Sequence, residues 1–487
     1  MKYLVLSCWL ICSGIVLGCS PSRPTQTLRI SNVNIVDVEG KQIVRNQDIV
    51  IANGRIAEII DHVAGRNGGT GSVIDASGAY AIAGLYDAHT HMDTASRQEL
   101  MLPEIYETPV SASEIDDDLV PYMAYGVTGI LVFNGNDDIL AARRRAQEIG
   151  KFAPRILSAG LILDGPSSHN PLHLKIETPD EGVAAVKDAE AKGYDFIKTY
   201  HLESVEVRNA IIASAGELGL PAMGHLPPSM SFDEAIVPGF DNVAHAEEIT
   251  RLWDGEDRQY LTHAIELMAQ YEVSLTPQLV GYREITEEIS DIDAKLAGLD
   301  WDLTPPFPRA YATPPFNGYV EDFGGDDMRG RAAAYFGRIA DVMDRLTLEA
   351  HQAGVMLLAG TDAGNPTMLP GQGLYRELAL LKDAGLDGFD ALAAATINVA
   401  ILFGETEDRG MIAEGKVADI VLFGANPVEK DKLERSDVVA VIKDGFLFDR
   451  ARIAGEVARV SASYDAREAR YLEEALRRRA LKTERED

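Results

Sequence analysis

The sequence predicts an α/β fold, a TIM-like (β/α)8 barrel with a small β-sandwich domain built from both termini. Three observations predict it. Short apolar strand patterns alternate with helical patterns through the middle of the 487-residue chain, which is typical of parallel sheets. Short alternating segments separated by turn residues occur near both ends. Polar side chains directly follow several of the middle strands, at the end of a barrel where active sites are built.

The N-terminal segment is predicted to be an export signal rather than part of the fold. An uncharged, mostly apolar run over residues 4–17 is too short to span a bilayer. The motif LGC, which ends at Cys19, resembles a bacterial lipobox and implies cleavage before Cys19 and lipidation of its thiol. We therefore expect residues 1–18 to be a lipoprotein signal peptide and residues 19–27 to be a tether. The protein would then be exported and lipid-anchored in the bacterial cell envelope, at the outer membrane or in the periplasm.

Composition excludes several classes of protein and site. All 3 cysteines lie within residues 1–19, two in the predicted signal peptide and the third at the predicted lipidation site, so the mature body contains neither a disulfide nor a thiolate metal ligand. Any metal must be held by histidines and carboxylates. The formal net charge of -31 argues against nucleic acid as a partner. We expect a small-molecule substrate and a membrane contact through the lipid anchor, and an oligomer is compatible with the sequence.

Two β regions at opposite ends of the chain are predicted to form one domain. Residues 28–82 contain alternating strand patterns with an Asn-Gly pair at 53–54, a strong hairpin signal. A similar pattern returns over 405–455, with an Asp-Gly turn at 444–445. These two regions are the predicted composite β-sandwich.

The middle of the chain, residues 83–404, is the predicted barrel. An insertion at 299–330, rich in proline, glycine and aromatics, lies between the last two predicted strands and is a candidate lid. Residues 456–487 are predicted to be a polar surface helix without a chemical role. The predicted barrel strands are 81–88, 126–133, 155–163, 196–200, 221–226, 242–246, 273–279 and 356–360.

The most informative motif is the pair His89 and His91 in AGLYDAHTHMD. Residues i and i+2 of a strand point to the same face, so two such imidazoles can bind one metal ion. Four further polar residues follow predicted strands, one for each strand end. They are Lys198, His225, His245 and Asp362. The spacing predicts that all of these side chains converge at one end of the barrel.

These motifs together resemble the metal-dependent amidohydrolase superfamily over roughly residues 28–450. AGLYDAHTH is similar to the family's strand-one motif, with Ala83 where proline is usual. ATINVA at 395–400, followed by GKVAD at 415–419, resembles the family's closing helix and return to the β domain. The resemblance implies a barrel enzyme that hydrolyses carbon–nitrogen bonds with bound metal.

Within that family, a lysine at strand four is similar to the binuclear subtype. There the lysine reacts with CO2, and the carbamate bridges two divalent ions, most often zinc, about 3.5–4 Å apart. The resemblance implies that His89, His91 and Asp362 hold the more buried ion, and His225 and His245 the other. A hydroxide between the metals would be the nucleophile, and Asp362 would orient it and transfer its proton.

A narrower resemblance concerns the prolidase-like, imidazolonepropionase-related branch. It is carried by IKTY after strand four, GH after strand five, AHAEE after strand six and GLYREL after strand eight. The resemblance implies a dipeptidase or an N-acyl amino acid hydrolase. Loop residues predicted to contact substrate are Tyr200, His201, His169, His173 and Arg283.

Two alternatives remain open from the sequence. A mononuclear deaminase or cyclic-amide hydrolase would leave Lys198 free and hold one ion with His89, His91, His225 and Asp362. No acid directly follows His225, but Glu247 and Glu248 keep this alternative open. A surface lipoprotein that only binds a ligand is the other alternative, although every expected ligand position is filled.

Overall fold

The structure is a computed structural model that describes residues 27–65, 71–92, 111–250, 258–314, 316–323 and 325–486. The predicted signal peptide, Cys19 and nearly all of the predicted tether lie outside these ranges. Within the described residues, no helix combines the length and the apolar character needed to cross a membrane.

The strands alternate with helices through the middle of the chain, as predicted. In chain order the strands are β1 (Thr27–Asp37), β2 (Gln42–Ala52), β3 (Arg55–Asp61), β4 (Gly71–Asp75), β5 (Tyr80–Ala83), β6 (Leu85–Thr90), β7 (Val127–Val132), β8 (Arg155–Ser158), β9 (Ile162–Asp164), β10 (His173–Lys175), β11 (Ile197–Thr199), β12 (Ala222–Gly224), β13 (Asn242–Ala244), β14 (Ser274–Thr276), β15 (Ile420–Phe423), β16 (Val438–Lys443) and β17 (Phe446–Asp449).

Helices connect the parallel strands, and further helices lie in the insertion and in the C-terminal tail. In chain order they are α1 (Ala112–Asp117), α2 (Val120–Ala124), α3 (Asp137–Ala146), α4 (Pro179–Lys192), α5 (Val205–Glu217), α6 (Phe232–Ala235), α7 (Glu247–Thr250), α8 (Arg258–Tyr271), α9 (Leu279–Ser290), α10 (Ile292–Ala297), α11 (Pro306–Ala312), α12 (Gly318–Phe323), α13 (Asp326–Gln352), α14 (Gln372–Asp383), α15 (Gly388–Ala394), α16 (Ile397–Leu402) and α17 (Arg450–Glu486). Short 3-10 helices lie at Trp301–Leu303 and Arg435–Asp437.

Strands from both ends of the chain form one sheet, which we call the terminal sheet. Its order is β17-β16-β15-β5-β1-β2-β3, and β4 pairs with β1. Both predicted turns are confirmed. Asn53 and Gly54 join β2 to β3 with φ of 54° and 79°, and Asp444 and Gly445 join β16 to β17 with φ of 51° and 80°. Positive φ at both central residues is what a type I′ hairpin requires. The predicted sandwich is not confirmed; the strands pair into one 8-stranded sheet.

The terminal sheet packs on two separate cores. In β15, Ile420 and Leu422 belong to a cluster with Ile30, Ile49 and other residues of the sheet. Val421 and Phe423, which point to the opposite face, belong to the large core of the middle domain. The alternation of strand side chains therefore attaches the sheet to the rest of the molecule.

The middle strands form two parallel sheets, β6-β7-β8 and β10-β9-β11-β12-β13-β14. Isolated parallel bridges extend this pairing: Ala159 with Phe196, Leu275 with Leu357, and Thr90 with Ala363. Parallel pairing therefore passes from β6 through β14 to residues 357–363 and returns to β6. The predicted last strand is present only as bridges. The backbone of this segment forms hydrogen bonds to both neighbouring strands. Leu358 N donates to Leu275 O, and Ala359 O accepts from Ala88 N.

Two predicted segments differ from expectation. The insertion at 299–330 lies between β14 and the last bridge segment, as predicted, but it contains α11 and α12 and buries Phe307 and Asn317. The C-terminal tail is not only a surface helix. α17 begins before residue 456 and buries Val457, Val460 and Tyr464, because these residues share one helical face.

Candidate functional site

Two histidines and an aspartate meet where β6 ends. His91 Nε2 lies 3.0 Å from Asp362 Oδ1, and His89 Nε2 lies 3.6 Å from the same oxygen. The other carboxylate oxygen of Asp362 accepts a hydrogen bond of 2.5 Å from Asn365 Nδ2. The convergence predicted for these three side chains is what the structure shows.

His245 reaches the same group from the end of β13. Its ring centroid lies 5.0 Å from that of His89. One ligand atom each of His89, His245 and Asp362 lie within 4.8 Å of one another. His245 and Asp362 both have a left-handed backbone, with φ of 76° and 58°. Left-handed conformations are uncommon outside glycine, and they concentrate at functional sites.

Lys198 lies at the end of β11 with its side chain directed into the same region. It is 2% exposed, and its Nζ has no hydrogen-bond partner among the residues that the structure describes. Nζ lies 4.9 Å from the centroid of the Phe133 ring, and the His89 ring stacks on Phe133 at 3.7 Å. Phe133 therefore supports both Lys198 and His89.

His225 lies in a second group, with His201 and Glu248. One ligand atom of each of these three residues lies within 4.8 Å of the others. His225 Nδ1 is 2.8 Å from Glu248 Oε1, and the second oxygen of Glu248 accepts from Leu226 N at 3.2 Å. The His225 and His245 rings are 4.8 Å apart, so the two groups are neighbours.

A buried carboxylate connects the strand that carries His89 to the segment that carries Asp362. Asp87 Oδ1 accepts from Thr361 N at 3.0 Å and from His89 N at 3.3 Å, and Oδ2 accepts from Thr361 Oγ1 at 2.6 Å. Thr361 Oγ1 in turn accepts from Ala363 N at 3.1 Å. Asp87 is a positioning residue. It binds Thr361 directly and Ala363 through the Thr361 hydroxyl, so it fixes the backbone on both sides of Asp362.

Burial keeps the two central imidazoles neutral. It lowers the pKa of His89 and of His225 well below the usual value, and the nearby Lys198 lowers both further. Burial also lowers the pKa of Lys198 to about 7, against the opposing effect of Asp362, Glu248 and Glu247. For Asp362, burial opposes ionisation, but the histidines around it hold the carboxyl pKa well below its usual range. Neutral imidazoles beside a carboxylate are the protonation states that a metal requires.

His245 is oriented by an acidic neighbour. Burial lowers its pKa, but Glu247 outweighs burial and the net pKa is raised. His245 Nδ1 lies 3.5 Å from Glu247 Oε1. A carboxylate that holds one ring nitrogen leaves the other available as a ligand, as in many histidine–metal sites.

The unsatisfied atoms of this site fit a divalent metal ion. Both ring nitrogens of His89 and Nε2 of His245 are buried without a hydrogen-bond partner in the described part of the chain. Buried polar atoms are nearly always paired, so a cluster of such nitrogens beside Asp362 needs a ligand. Nitrogen and carboxylate donors with an open position suit zinc.

The predicted substrate residues are placed unequally. The Tyr200 ring lies 4.2 Å from that of His225 and 4.1 Å from that of His201. His173 lies 4.9 Å from Tyr200, and its Nδ1 is 2.7 Å from Asp164 Oδ2. Tyr200 therefore borders the second group, of which His201 is a member, and His173 lies next to Tyr200.

The other two predicted substrate residues lie elsewhere. His169 is exposed on the loop after β9. Arg283 on α9 contacts Asp341 at 2.9 Å and also contacts Asp344, both on α13. Its contact with a substrate carboxylate stays a prediction, and the structure shows its guanidinium already paired.

Sequence reasoning missed several residues of the site. Asp87 lies in AGLYDAHTH, two residues before His89, and Glu248 lies in AHAEE, so both were visible but had no assigned contact. Asn365 lies shortly after Asp362 in the sequence, so a contact between their side chains could have been expected from the sequence. Phe133 ends β7 as an ordinary apolar residue, and nothing in the sequence indicates that it contacts both Lys198 and His89.

Comparison with known proteins agrees with this geometry. The sequence profile of the amidohydrolase family matches residues 80–447. That match covers most of the chain and every residue of the two groups. The chain belongs to the amidohydrolase family.

Solved structures of this family share the fold. A Xaa-Pro dipeptidase with bound methionine in its active site superposes with a TM-score of 0.64 at 20% identity, over 87% of this chain and 100% of that one. Bottromycin amidohydrolase gives 0.67 at 22% identity, over 90% of each chain. A prolidase complexed with N-methylphosphonate-L-proline gives 0.66 at 18% identity, over 87% of this chain and 100% of that one. No curated protein matches the sequence.

Membership of the amidohydrolase family has three consequences. The parallel strands belong to a TIM-barrel-type fold. The protein is a hydrolase that acts on carbon–nitrogen bonds. Enzymes of this family usually bind divalent metals, in agreement with the donor atoms found here.

Proposed function

We propose that the protein is a binuclear metal-dependent hydrolase that cleaves the amide bond of dipeptides or N-acyl amino acids. The observation that carries the proposal is the buried group of His89, His245 and Asp362, whose ligand atoms lie within 4.8 Å of one another. His225 lies beside it, at 4.8 Å between ring centroids from His245. The proposed ligands of the two ions are His89, His91, Lys198, His225, His245 and Asp362.

When bound, the metals supply a water of lowered pKa and polarise the scissile carbonyl. The residues of the chain do the rest. Asp362 Oδ1 faces the histidines, while its Oδ2 is held by Asn365 Nδ2 at 2.5 Å. A carboxylate held on one side is oriented to accept a proton on the other and deliver it to the leaving amine. Phe133 and the buried strand ends exclude bulk water from this face.

Lys198 is proposed to carry a carbamate. Its Nζ attacks the carbon of CO2, the new N–C bond forms, and one amine proton is released to solvent. Burial of Lys198, which is 2% exposed, lowers its pKa and favours the neutral amine that this reaction needs. The resulting anion provides two oxygens toward the neighbouring ligand groups.

The substrate class is proposed from two sources. The superposed Xaa-Pro dipeptidase and the prolidase with a proline phosphonate both take small substrates or analogues with an amino acid part. In this protein His201 belongs to the second group, Tyr200 lies beside it and His173 next to Tyr200, and all three are proposed to contact substrate. His169, on the loop after β9, and Arg283, on α9, complete the proposed set from positions farther away.

The insertion at 299–330 is proposed to be the lid over this site. Burial raises the pKa of Tyr319 on its helix α12, and the nearby Tyr311 and then Asp362 raise it further, which places α12 near the site. Asn317 Nδ2 donates to Glu288 Oε2 on α9 at 2.7 Å, which anchors the insertion beside the barrel. Side-chain selectivity would then depend on the tyrosines that the insertion presents.

The cellular context is also proposed from the sequence. Export, cleavage before Cys19 and lipid anchoring in the cell envelope follow from residues 1–19. The division of the mature chain into residues 28–82 with 405–455, 83–404 and 456–487 rests on the same sequence patterns. Mass spectrometry of the mature N-terminus tests the lipidation of Cys19 directly.

Turnover by the purified protein tests the proposed activity. The protein is supplied with zinc and bicarbonate, and incubated with dipeptides, N-acyl amino acids, esters and lactones. We expect release of a C-terminal amino acid from at least one peptide or acyl series, and no release by Asp362→Asn. Two bound ions without turnover of any class would instead support a ligand-binding lipoprotein. One ion and ammonia release would support a deaminase.

A further inference from the structure

We propose that Gln278 binds an amide group on the acyl side of the scissile bond, so that the preferred substrates carry a second amide there. This inference rests on the proposed function and deepens it, because it separates N-acylated dipeptides and longer peptides from free dipeptides and simple N-acyl amino acids. Gln278 lies two residues after β14 and belongs to neither group of donor atoms.

Gln278 lies beside the strand end that carries His245. His245 N donates to Thr276 O, the last residue of β14, at 2.9 Å. Gln278 has a left-handed backbone with φ of 52°, as do His245 at 76° and Asp362 at 58°. Such conformations concentrate at functional sites. Two of these three residues are proposed metal ligands, and Gln278 is the third.

The side-chain amide of Gln278 is buried and unpaired. Gln278 is 3% exposed, and neither its Nε2 nor its Oε1 has a hydrogen-bond partner among the residues that the structure describes. Buried amides in folded proteins are nearly always paired, because leaving them unpaired costs free energy. A ligand that donates one hydrogen bond and accepts another would satisfy both atoms.

The strand before Gln278 directs this amide towards the mouth of the barrel. Thr276 precedes Gln278 by two residues, so strand alternation places the two side chains on one face. A Cβ at Gly360 would lie 2.7 Å from Thr276 Cγ2 and 2.9 Å from His89 Cβ. The face that Gln278 shares with Thr276 is therefore the face that carries His89.

The helix after Gln278 supports the same orientation. Tyr282 lies four residues further along, hence on the same face of α9. Burial raises the pKa of the Tyr282 hydroxyl, and the nearby Glu247 carboxylate raises it further. Glu247 Oε1 lies 3.5 Å from His245 Nδ1. The face of α9 that begins at Gln278 therefore borders the group that contains His245.

Gln278 and the histidines proposed to contact substrate lie on different sides of the site. His201 follows β11, Gln278 follows β14, and β12 and β13 lie between these strands. An imidazole can carry a positive charge, so His201 and His173 suit the carboxylate of the released amino acid. The β14 side presents an uncharged amide beside the acidic Glu247, which suits the uncharged acyl part.

The chemistry of the glutamine amide selects among acyl parts. Its Nε2 donates hydrogen bonds and its Oε1 accepts them. The ammonium of a free dipeptide can only donate, and a hydrocarbon acyl chain does neither. A peptide group offers both an N–H and a C=O. Of these three acyl parts, the one with its own amide is the one that satisfies both atoms of Gln278.

Equilibrium binding tests the assignment without turnover. N-acetylglycine represents the acyl product with its amide, and levulinate has the same chain with a methylene in place of the N–H. Titration calorimetry measures both dissociation constants for the full-length mature protein loaded with zinc. We expect N-acetylglycine to bind about 10–100-fold more tightly than levulinate, and Gln278→Leu to bind the two equally.

Turnover gives a second measurement on the same matched pair. N-acetylglycyl-L-alanine should exceed levulinyl-L-alanine in kcat/KM by about 10–100-fold in the parent, and the two should be equal in Gln278→Leu. Glycylglycyl-L-alanine carries the same amide with a free amine. Its rate relative to the acetylated compound distinguishes a peptide from an N-acyl source of that amide.

A paired glutamine provides the matched control. Gln372 Nε2 donates to Gly298 O at 3.0 Å, and its Oε1 accepts from Asp300 N at 2.9 Å. Gln372→Leu should therefore keep the parental preference for the amide. Leucine is strained at the φ of Gln278, so Gln278→Asn is the second variant. Asparagine tolerates that φ but is one methylene shorter, and it should also lose the preference.

Two results would overturn the assignment. One is equal binding of N-acetylglycine and levulinate by the parent. The other is an undiminished preference in both Gln278→Leu and Gln278→Asn, with the fold of each verified by circular dichroism. A parent that turns over none of the substrates would contradict the proposed hydrolase activity, and the binding ratio would still decide the role of Gln278.

Discussion

Two histidine–aspartate pairs in this protein have similar nitrogen–oxygen distances but different hydrogen-bonding surroundings. In the terminal sheet, His62 Nδ1 lies 2.8 Å from Asp48 Oδ1, and that carboxylate also accepts from Asn32 N at 2.9 Å and Ser31 Oγ at 3.0 Å. At the strand ends, His91 Nε2 lies 3.0 Å from Asp362 Oδ1. The neighbouring nitrogens of His89 have no partner among the described residues. The first pair is satisfied by the chain itself, whereas the second lies beside buried ring nitrogens of His89 that a metal ion would satisfy.

The backbone shows the same contrast. In the terminal sheet, left-handed residues include Asn53 and Asp444, short polar residues in hairpin turns. At the ends of the parallel strands the left-handed residues are His245, Gln278 and Asp362. Of these residue types, only aspartate is common in turns. Strained conformations and unpaired buried atoms occur together, which indicates that this region is built for binding rather than for stability.

The largest expected effect comes from exchanging the two aspartates for asparagine. Asp362→Asn should lower kcat/KM by about 10²–10⁴-fold, because it removes the proposed proton acceptor and metal ligand. Asp48→Asn should leave turnover unchanged and lower the free energy of unfolding by about 1–3 kcal/mol, because it weakens three buried hydrogen bonds. Steady-state kinetics and urea unfolding of both variants measure the two effects. Similar activity losses in both would break the comparison.

Added zinc should stabilise the protein by binding at the strand ends around Asp362, and not in the terminal sheet around Asp48. At a free zinc concentration of about 100 times Kd, binding to the native state adds roughly 2.7 kcal/mol to stability. Asp48→Asn should retain this increment, and Asp362→Asn should lose most of it. Calorimetric unfolding with and without zinc gives the increment. An equal increment in both variants would show that zinc binds elsewhere.

A methyl group at Gly360 should disturb the site without touching the terminal sheet. A Cβ there would lie 2.7 Å from Thr276 Cγ2 and 2.9 Å from His89 N. We expect Gly360→Ala to cost about 1–3 kcal/mol and to weaken zinc binding, because the His89 backbone must shift.

Gly216 provides the matched control for that variant. It lies in α5, and an added Cβ would meet nothing within 4 Å. Gly216→Ala should therefore stabilise the protein by about 0.5–1 kcal/mol and leave zinc affinity unchanged. Thermal melts and dye competition on both glycine variants make the test. Unaltered zinc affinity in Gly360→Ala would contradict the close packing around His89.

The smallest expected effect is an opposite pH dependence of two buried carboxyls. Burial raises the pKa of Glu377 to about 8, despite hydrogen bonds from Leu279 N and Val280 N. Its protonated form is favoured in the fold, so its contribution to stability falls as pH rises from about 4.5 towards 8. In Glu377→Gln, the decrease in the free energy of unfolding between pH 5 and 7 should be smaller by on the order of 1 kcal/mol.

Asp48 should behave in the opposite sense. Burial opposes its ionisation, but the hydrogen bonds from Asn32, His62 and Ser31 outweigh burial and lower its pKa. Its contribution is present above about pH 4 and is lost as pH falls through the folded-state pKa. Asp48→Asn should therefore flatten only the acid limb of a stability profile recorded by urea unfolding from pH 3 to pH 8. A change on the alkaline limb in this variant would contradict the assignment.

Much of the fold follows from local patterns in the chain. The Asn-Gly and Asp-Gly pairs specify hairpins because positive φ is easiest for these residues, and the apolar runs specify strands of the parallel sheets. His89, His91 and Asp362 were found because each directly follows or ends a strand. The reduction of the last strand to isolated bridges and the pairing of the terminal strands into one sheet were not predicted, because pairing partners far apart in sequence decide them.

By itself the sequence determined which side chains lie at the strand ends, since the strand–helix alternation and the position of each polar residue are local properties. Only the tertiary structure decided that His245 joins His89 and Asp362 while His225 joins His201 and Glu248. The physical reason is that ligand grouping depends on ring orientations and ångström-scale separations between strands. Those are set by packing on residues such as Phe133 and by contacts such as Asp87 with Thr361, and no spacing along the chain encodes them.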